Sequence, residues 1–420
     1  MHIAIIGAGI TGITSAWYLR RAGHRVTVIE RRAEAALETS FANGGQVSIS
    51  HPEPWANPGA PLTILRWLGR RDAPLLFRLP AEAARWRWGL EFLAECLPAP
   101  TRRNTQAIGN LAAYSGKMLQ ALRSETQIEY TQLQRGILHL YFTPGELSHG
   151  QSQHRILQGL GIGSRMLTPE QCLAYEPSLS HIGSRLSGAM LGDDDESGDA
   201  HLFSVRLAAL AQAEGVEFRY NTTVDALQHD AKGITRLQLH DERGAAEAFV
   251  ADAYVICAGS YSQALVKTTG ERLPIYPVKG YSATVPVRDS ARAPTASITD
   301  ESRRIVISRL GDQLRIAGTA ELNGFNLELD PVRCAALTQW VEDVFPGAAD
   351  TRQPEFWAGL RPATPSNVPI IGRARLPNLF YNTGHGTLGW TLSCGSAKLL
   401  SDLIDKRTPA IDFPLWRGRS

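Results

Sequence analysis

The sequence has few of the features that mark several large classes of protein. Its five cysteines are scattered over 420 residues without a CxxC pair, which indicates neither a thiol metal site nor a disulfide framework. Separate thiols of this kind are typical of a reduced, cytoplasmic protein. The 43 Lys and Arg nearly balance the 41 Asp and Glu, so the basic excess of a general nucleic-acid binder is missing. We therefore predict no metal and no nucleic-acid partner.

Long apolar runs are also missing. No stretch approaches the roughly 20 apolar residues that a membrane-spanning helix needs. The apolar residues 1–13 have no Lys or Arg before them and no small-residue cleavage site after them, unlike a signal peptide. A length of 420 residues, 43% of them hydrophobic, instead favours two or three globular domains that are soluble or attached to a membrane surface.

What the chain does have begins at its N-terminus. Residues 2–6 are a short β-branched run, which is typical of a buried parallel strand. Residues 7–12 read Gly-Ala-Gly-Ile-Thr-Gly, and an amphipathic stretch over 13–22 then predicts a helix. In such a unit the first glycine permits a tight turn, the second lets a pyrophosphate approach the backbone, and the third lets the helix pack on the sheet. Free N–H groups at the helix N-terminus would face the phosphates.

A second predicted strand, over 25–29, ends in an acid. Glu30 lies 18 residues after Gly12, where a carboxylate can accept hydrogen bonds from ribose hydroxyls. An acid at this place favours an unphosphorylated ribose and disfavours NADP. The whole unit predicts dinucleotide binding, but by itself it does not separate NAD from FAD.

Three further segments suit a bound cofactor. Residues 39–46 combine glycines with hydroxyl and amide side chains, and the predicted strand 253–257 ends in Ala258-Gly259. Residues 382–390 read Asn-Thr-Gly-His-Gly-Thr-Leu-Gly-Trp and precede a predicted helix over 391–403, so bare N–H groups and a helix dipole would face an electron-rich group. The predicted cofactor-binding residues are Gly7, Gly9, Ile10, Thr11, Gly12, Glu30, Arg31, Ser40, Asn43, Gly44, Gly45, Gln46, Val224, Ala258, Gly259, Gly384, Gly386, Thr387, Leu388 and Gly389.

Arg361 is the main candidate for binding a substrate. It lies in Trp-Ala-Gly-Leu-Arg-Pro-Ala-Thr-Pro, residues 357–365, among rigid prolines and glycines. A guanidinium held in this way can bind a carboxylate through two parallel hydrogen bonds. A structural salt bridge is the alternative for the same residue.

The predicted architecture is α/β. The nucleotide-binding elements are separated along the chain, so we predict two intertwined domains. Residues 1–50, 200–265 and 355–420 would form a Rossmann-type domain with a parallel sheet, and residues 51–199 and 266–354 an α+β substrate-binding domain with a mainly antiparallel sheet. Further helices are predicted over 105–125 and 202–213, and further strands over 135–142, 216–220, 223–227, 282–287, 305–308 and 314–317.

Residues 51–100 differ in composition from the rest. Four tryptophans alternate there with arginines, and the prolines at 52, 54, 58, 61, 74 and 80 divide the segment into short pieces. Such a segment can lie in a membrane interface, or it can form short helices that pack on a domain surface. Composition leaves both interpretations open for residues 55–92.

The assembled motifs resemble those of the small-subunit family of D-amino-acid dehydrogenases, within the superfamily of D-amino-acid oxidase and glycine oxidase. The resemblance covers nearly the whole chain, and 382–390 is its most specific part. It is carried by residues 7–12 with 15–19, 37–46, 54–59, 195–199, 276–282 and 324–326, and by both C-terminal motifs.

The resemblance implies a non-covalently bound FAD and an enzyme that oxidises a free D-amino acid to a 2-oxo acid and ammonia. It implies hydride transfer from Cα to flavin N5, with Arg361 binding the carboxylate and Tyr281 or Tyr276 assisting. Electrons would pass to a membrane quinone, and the protein would attach to the cytoplasmic face of the inner membrane. Cys394 falls within the predicted C-terminal helix rather than in a flavin-linkage pattern.

The sequence departs from the family pattern in one loop. His51 stands where the family has tyrosine, Glu53 where it has alanine, and Asn43-Gly44-Gly45 replaces Asn-Ala-Gly. If this loop lines the cavity, His51 tunes the site and the added acid favours a basic or cyclic amine. If the loop faces solvent, the changes have no such effect. Two alternatives therefore remain open: a dehydrogenase or oxidase of a secondary or cyclic amine such as sarcosine, D-proline or D-hydroxyproline, and a flavin-carrying subunit without its own substrate site.

Overall fold

The computed structural model describes residues 1–67, 75–77 and 83–418. The α-helices in these ranges are α1 (Ile10–Arg21), α2 (Ala60–Trp67), α3 (Ala83–Glu95), α4 (Pro98–Thr126), α5 (Pro144–Gly159), α6 (Pro169–Tyr175), α7 (Ala200–Ala213), α8 (Ser262–Val266), α9 (Pro331–Val344) and α10 (Gly389–Ile404). The strands are β1 (His2–Ile6), β2 (Arg25–Ile29), β3 (Gln46–Val47), β4 (Leu75–Phe77), β5 (Ile137–Tyr141), β6 (Ser164–Leu167), β7 (Gly188–Gly192), β8 (Glu196–Ser197), β9 (Glu217–Arg219), β10 (Thr222–Asp230), β11 (Gly233–Asp241), β12 (Ala246–Phe249), β13 (Ala253–Ile256), β14 (Tyr276–Pro286), β15 (Ser297–Asp300), β16 (Ile305–Leu310), β17 (Gln313–Leu322), β18 (Glu355–Ala363), β19 (Ile370–Arg373), β20 (Leu379–Thr383) and β21 (Trp416–Arg417).

The first large sheet is mostly parallel and begins with the N-terminal strand. Its order is β21-β19-β20-β13-β1-β2-β9, and only the β19–β20 pair is antiparallel. The apolar side chains of β1 are buried on both faces, as a strand covered by helices requires. The Rossmann-type sheet predicted from the sequence is therefore present.

The second large sheet is mostly antiparallel. Its order is β18-β14-β17-β16-β15-β5-β7-β6, with β4 also paired to β17. One face of this sheet packs on α9 through a core that includes Ile298, Ile316 and Trp340. The opposite face points toward the first sheet, so the space between the two sheets becomes the natural place for a ligand.

The helices on the first sheet share one core. Buried side chains of α1, α4, α7 and α10 contact the sheet in a single cluster that includes Ile13, Leu111, Phe203 and Leu392. Asp199 caps α7 by accepting the backbone N–H groups of residues 201 and 202. The helix predicted over 105–125 is therefore part of a longer one that belongs to the first layer.

Two details correct the predicted domain division. Residues 355–363 form β18, which pairs with β14 in the second sheet, so this segment does not belong with the first sheet as predicted. Helix α4 packs on α1 and α10, although residues 51–199 were assigned to the substrate-binding domain. Both errors have the same cause: the order of segments along the chain does not show which sheet a segment joins or packs on.

The described residues contain no helix of the length and apolarity required to cross a bilayer. All five cysteines are buried and unpaired, and burial raises the pKa of each thiol. The Trp/Arg-rich segment contributes α2 and α3, while its residues 68–74 and 78–82 lie outside the described ranges.

Candidate active site

A cavity of about 910 Å³ lies between the two sheets. This volume is near the upper end of the range for ligand pockets, about 300–1,000 Å³, so an extended ligand can fit. The predicted cofactor-binding residues line it with the exception of Gly12. Of the four predicted substrate-site residues, Arg361, His51 and Tyr281 line it, and Tyr276 does not.

The glycine turn has the geometry that its sequence predicts. Gly7 has φ +105°, a left-handed conformation, and an added Cβ would lie 2.7 Å from the Cys257 carbonyl oxygen. A Cβ on Gly12 would lie 1.9 Å from the Gly7 carbonyl oxygen, so this glycine serves packing of helix on strand. By contrast, a Cβ on Gly9 would meet only the Ser40 hydroxyl, at 3.7 Å. The protein thus leaves open the space above Gly9, where a pyrophosphate would approach.

Glu30 closes the same turn. Its carboxylate accepts the backbone N–H of Ala8 at 2.7 Å and that of Arg32 at 2.9 Å. Burial raises the pKa of Glu30, and these two hydrogen bonds oppose that shift. Each carboxylate oxygen can accept more than one hydrogen bond, so Glu30 can hold the turn and still accept ribose hydroxyls.

Other predicted cofactor residues are arranged around the turn. The Ser40 hydroxyl accepts the Ile10 N–H at 3.1 Å, at the start of α1. The guanidinium of Arg31 lies over the Tyr261 ring, 3.8 Å from its centroid, and both residues line the cavity beside Val224. Tyr261 was not predicted, although it follows the small residues that end β13 by only a few positions.

The loop over 43–46 runs along the second sheet. A Cβ on Gly44 would lie 2.6 Å from the side chain of Val306 in β16, so this glycine permits close packing of loop on sheet. The Gln46 amide nitrogen donates to the hydroxyl of Ser297 at 2.9 Å. The loop therefore lines the cavity, and the side-chain amide of Gln46 is bonded to the second sheet.

The C-terminal motif forms the opposite end of the cavity. Gly384 and Gly386 both have positive φ, +77° and +55°, and α10 begins at Gly389. His385 is buried and its Nε2 lies 3.1 Å from the Ser396 hydroxyl, while burial lowers its pKa to about 3. A neutral imidazole bonded within the protein gives His385 a structural part in this turn.

Arg361 reaches the cavity from β18. Its Nη1 donates to the carbonyl oxygen of Thr319 at 2.9 Å. Among the residues that the structure describes, no carboxylate lies within 4 Å of its guanidinium, and burial alone lowers its pKa to about 10. The salt-bridge alternative therefore has no partner in the described part of the chain, and a half-buried cation that faces the cavity without a counter-ion favours an anionic ligand.

Neither predicted tyrosine places its hydroxyl beside Arg361. Tyr281 points to the opposite face of the second sheet, where its hydroxyl donates to Glu321 at 2.6 Å. The Tyr276 hydroxyl accepts hydrogen bonds from Arg85 at 2.7 Å and from the Gly324 N–H at 3.1 Å. The role of both tyrosines in carboxylate binding stays a prediction, and these hydroxyl positions do not favour it. Tyr281 points away from the cavity face of its neighbour Gly280 because side chains alternate along β14, whereas Tyr276 is on the same strand face as Gly280 and is bonded to α3.

His51 belongs to a polar wall of the cavity. Its ring stacks on that of His139 with centroids 5.5 Å apart, and its Nδ1 lies 3.9 Å from a Glu301 oxygen. Burial lowers the pKa of His51, against the raising effect of Glu301. His139 and Arg304 bond separate oxygens of Glu301, at 2.9 and 2.6 Å. The loop thus faces the cavity and not bulk solvent.

Ligand atoms of His51, His139 and Glu301 lie within 4.8 Å of one another, the one such group that could hold a metal in the described ranges. The hydrogen bonds from His139 and Arg304 already use the Glu301 carboxylate. Glu53, the other departure from the family pattern, also lines the cavity and pairs with His149 at 3.1 Å. The absence of a metal stays a prediction, and so does a preference for basic substrates.

Trp357 also lines the cavity, although it was not among the residues predicted for the site. A row of directly paired positions crosses the second sheet, and all but Ser282 in it line the cavity: Trp357, Ser282, Ala317, Val306, Thr299 and His139. Trp357 lies four residues before Arg361 on one strand, so the alternation of β18 could have placed both on one face. Glu301 and Thr319 gave no local signal, because only pairing between distant strands brings them to the cavity.

Together, the parallel sheet with its glycine turn and the second sheet with its half-buried cation define an α/β protein suited to bind a dinucleotide and an anionic ligand between the two sheets. The sequence profile of the family described as "FAD dependent oxidoreductase" matches residues 2–403. A D-amino acid dehydrogenase of Dechloromonas aromatica (strain RCB) is 50% identical over 417 residues, 99% of this chain and 100% of the relative. One from Paramagnetospirillum magneticum is 48% identical over 414 residues, 98% and 97% of the two chains.

Comparison of structures agrees with comparison of sequences. The crystal structure of glycine oxidase from Geobacillus kaustophilus superposes with a TM-score of 0.74 at 22% identity, covering 100% of this chain and 99% of that one. At 22% identity, this similarity shows that the two chains share a fold. The chain belongs to the family of FAD-dependent oxidoreductases, and its cofactor is FAD. The open space above Gly9 and the positive-φ glycines at 384 and 386 fit this cofactor.

Proposed function

We propose that this enzyme oxidises a free D-amino acid to the 2-oxo acid and ammonia, and passes the two electrons to a quinone-type acceptor. The observation that carries the proposal is Arg361, a half-buried cation in the cavity with no carboxylate within 4 Å among the described residues. An α-amino acid supplies the missing carboxylate. Relatives named D-amino acid dehydrogenase, at 44–50% identity over nearly the full length, favour the D-configured substrate.

The chain's own residues would bind and orient the substrate. Arg361 would hold the carboxylate, and a substrate bound in this way has its Cα in a fixed position. Bound FAD would supply the two-electron oxidation by taking up a hydride from Cα. The amine must be deprotonated for hydride to leave, and water then hydrolyses the imine to the 2-oxo acid and ammonia. These steps need no base from the protein, because solvent can take the proton from the amine.

Residues 384–389 and α10 would bind the pyrimidine edge of the flavin. The helix dipole of α10 and the N–H groups of the turn favour negative charge there. His385 cannot add a positive charge near neutral pH, because burial lowers its pKa to about 3. Stabilisation of a reduced, anionic ring would therefore come from backbone groups and the helix.

A membrane-bound acceptor would need the enzyme at a lipid surface, and α3 offers a suitable face. Trp86, Leu90, Leu93 and Leu97 follow one another at helical spacing and are 47–69% exposed, whereas Trp88 and Phe92 face the core. In monomeric soluble proteins such apolar faces are usually small. We assign this face to an anionic bilayer, since exposed Arg87 of α3 and exposed Arg102 and Arg103 of the following helix α4 are close to it in sequence, although Arg87 and Arg103 also pair with Glu91 and Glu95.

The apolar surface continues beyond α3. The Tyr276 hydroxyl bonds both Arg85 of α3 and the Gly324 N–H, so the loop after β17 lies beside the start of this helix. In that loop Phe325, Leu327 and Leu329 are 40–51% exposed. Two elements thus present apolar side chains together, which favours contact with an extended surface.

Anaerobic titration of the purified, FAD-loaded protein tests the reaction. We expect D-amino acids to bleach the visible flavin band and L-amino acids to leave it unchanged. Bleaching by sarcosine or D-proline in place of common D-amino acids would contradict the proposal and establish the secondary-amine alternative. A flavin that none of these compounds reduces would also contradict it and leave a flavin-carrying subunit. A quinone analogue added to the reduced protein should restore the band.

A further inference from the structure

Two glycines face each other beneath the substrate-binding arginine. Gly280 of β14 is paired directly with Gly359 of β18. Directly opposite residues of an antiparallel pair project to the same face, here the face that lines the cavity. Neither glycine has the positive φ that would require its residue type. Backbone conformation therefore does not explain why both positions lack a side chain.

Space explains it. A Cβ on Gly280 would lie 2.4 Å from Cζ of Arg361 and 2.5 Å from each terminal nitrogen. A Cβ on Gly359 would lie 2.0 Å from Cη2 of the Trp357 indole. The guanidinium and the benzene ring of the indole thus occupy the space above the glycine pair, one over each member.

We propose that the pair Gly280–Gly359 is a positioning device that seats Arg361 and Trp357 in the floor of the substrate pocket. The proposal rests on the proposed function in so far as the anion that Arg361 binds is a substrate carboxylate. With both glycines bare, the guanidinium stays low against the sheet and leaves the cavity above it open. A methyl group at 280 would lift the guanidinium into the space that the carboxylate needs.

The hydrogen bond to Thr319 makes the position of Arg361 sensitive to such a change. Nη1 reaches the Thr319 carbonyl oxygen at 2.9 Å, and no second protein group holds the guanidinium among the described residues. A shift of a few tenths of an ångström lengthens that bond, and hydrogen bonds weaken as distance and angle depart from their optimum. The substitution should therefore act on carboxylate binding through Arg361 and not on the flavin.

Gly280→Ala in the FAD-loaded enzyme is the principal test. Benzoate serves as a simple carboxylate probe, and its binding is followed through the visible spectrum of the flavin. We expect its Kd to rise about 10- to 100-fold, the effect of one charged hydrogen bond. KM for the amino acid should rise by a similar factor with a smaller change in kcat. Flavin content should stay at one per chain, and Gly159→Ala, where an added Cβ meets nothing within 4 Å, should change none of these.

A double-mutant cycle separates a positioning role from a general structural one. If Gly280 acts only through Arg361, then Gly280→Ala should not weaken benzoate binding further in an Arg361→Ala background. Equal losses of affinity in the wild-type and Arg361→Ala backgrounds would overturn the proposal. Unchanged benzoate and substrate binding in the single variant would overturn it as well.

Gly359→Ala provides a second, independent arm in case the Gly280 variant does not fold. This substitution should displace the indole, and Trp357→Leu should restore benzoate binding in its presence because the smaller side chain leaves room. Failure of that rescue in a folded, flavin-loaded protein would overturn the role of the pair. Benzoate binding does not require turnover, so a wild type that D-amino acids fail to reduce would remove the proposed function without deciding this one.

Discussion

Arg361 is held by the carbonyl oxygen of Thr319, a residue whose own backbone is left-handed, with φ +57°. A β-branched residue rarely adopts this conformation, and such outliers cost about 1–3 kcal/mol each. Because the anchor is a neutral carbonyl and not a carboxylate, the arginine is positioned while its charge remains available. A carboxylate partner would have fixed the side chain equally well but would have competed with the substrate.

Arg361→Ala should lower kcat/KM about 100- to 1,000-fold, because two charged hydrogen bonds to the substrate carboxylate are lost. Most of the change should appear in KM, with flavin content unchanged. Arg361→Lys keeps the positive charge but cannot make two parallel hydrogen bonds to a carboxylate. Its kcat/KM should therefore lie between those of the wild type and the alanine variant. Steady-state kinetics with absorbance-based flavin quantification measures both, and wild-type kinetics in the alanine variant would remove Arg361 from the site.

Gly9 and Gly12 should respond differently to the same kind of substitution. Gly9→Val fills space that the protein leaves open, so the chain should fold but purify without flavin. Gly12→Ala places a methyl group 1.9 Å from the Gly7 carbonyl oxygen and should destabilise the fold itself. Flavin absorbance together with thermal unfolding of the apoproteins distinguishes the two effects. Normal flavin content in the Gly9 variant would contradict the assigned phosphate site.

Asp195 predicts a specific pH dependence of stability. Burial raises its pKa to about 6, although hydrogen bonds from Ser50 and the charge of His139 oppose the shift. The native state therefore favours the protonated acid, so its stabilising contribution is complete below the unfolded pKa of about 3.9 and is lost as pH rises through about 6. Asp195→Asn should gain stability relative to wild type by up to about 1.4 kcal/mol per pH unit across that window.

Denaturant unfolding at pH 4, 5, 6 and 7 tests this prediction. The matched control is Asp312→Asn, which makes the same change at an exposed acid. A constant difference for the Asp195 variant would contradict the expected protonation of this buried acid.

Charge introduced on the outer face of α3 should weaken membrane binding. Leu90 and Leu93 are 69% and 47% exposed, so replacing both by aspartate should preserve the fold. Flotation with vesicles that contain anionic lipid should recover much less of this variant than of the wild type, because burial of two leucines is lost and negative charge is added. Ile156→Asp, on exposed α5, is the control. Equal flotation of all three proteins, or none for the wild type, would contradict the assigned surface.

The N-terminal unit could be predicted well because its constraints are local. A strand, three glycines, a helix and an acid must follow one another within about thirty residues to bind a dinucleotide. The structure places β1, α1, β2 and Glu30 accordingly. The antiparallel strands around 282–287, 305–308 and 314–317 were also identified, since alternation of apolar residues is a local property.

The rest of the site depends on pairing between distant strands. Tyr281 and Ser282 are adjacent in sequence, yet one bonds Glu321 on the far face and the other shares a row with Trp357. No local sequence pattern indicates which face of β14 lines the cavity. The bulge between Lys279 and Tyr281 also shifts the register of β14 against β17. For the same reason β18 was assigned to the wrong sheet.

Alkylation of the five buried thiols would show where this fold opens, because each thiol can react only after its surroundings become accessible to solvent. Their raised pKa values keep them protonated, and a protonated thiol without solvent access does not react with alkylating reagents. Cys257 adjoins the glycine turn at Gly7, whereas Cys334 lies on α9 in the other layer. The order in which the two become labelled would therefore report whether the cofactor end or the substrate end of the molecule loosens first.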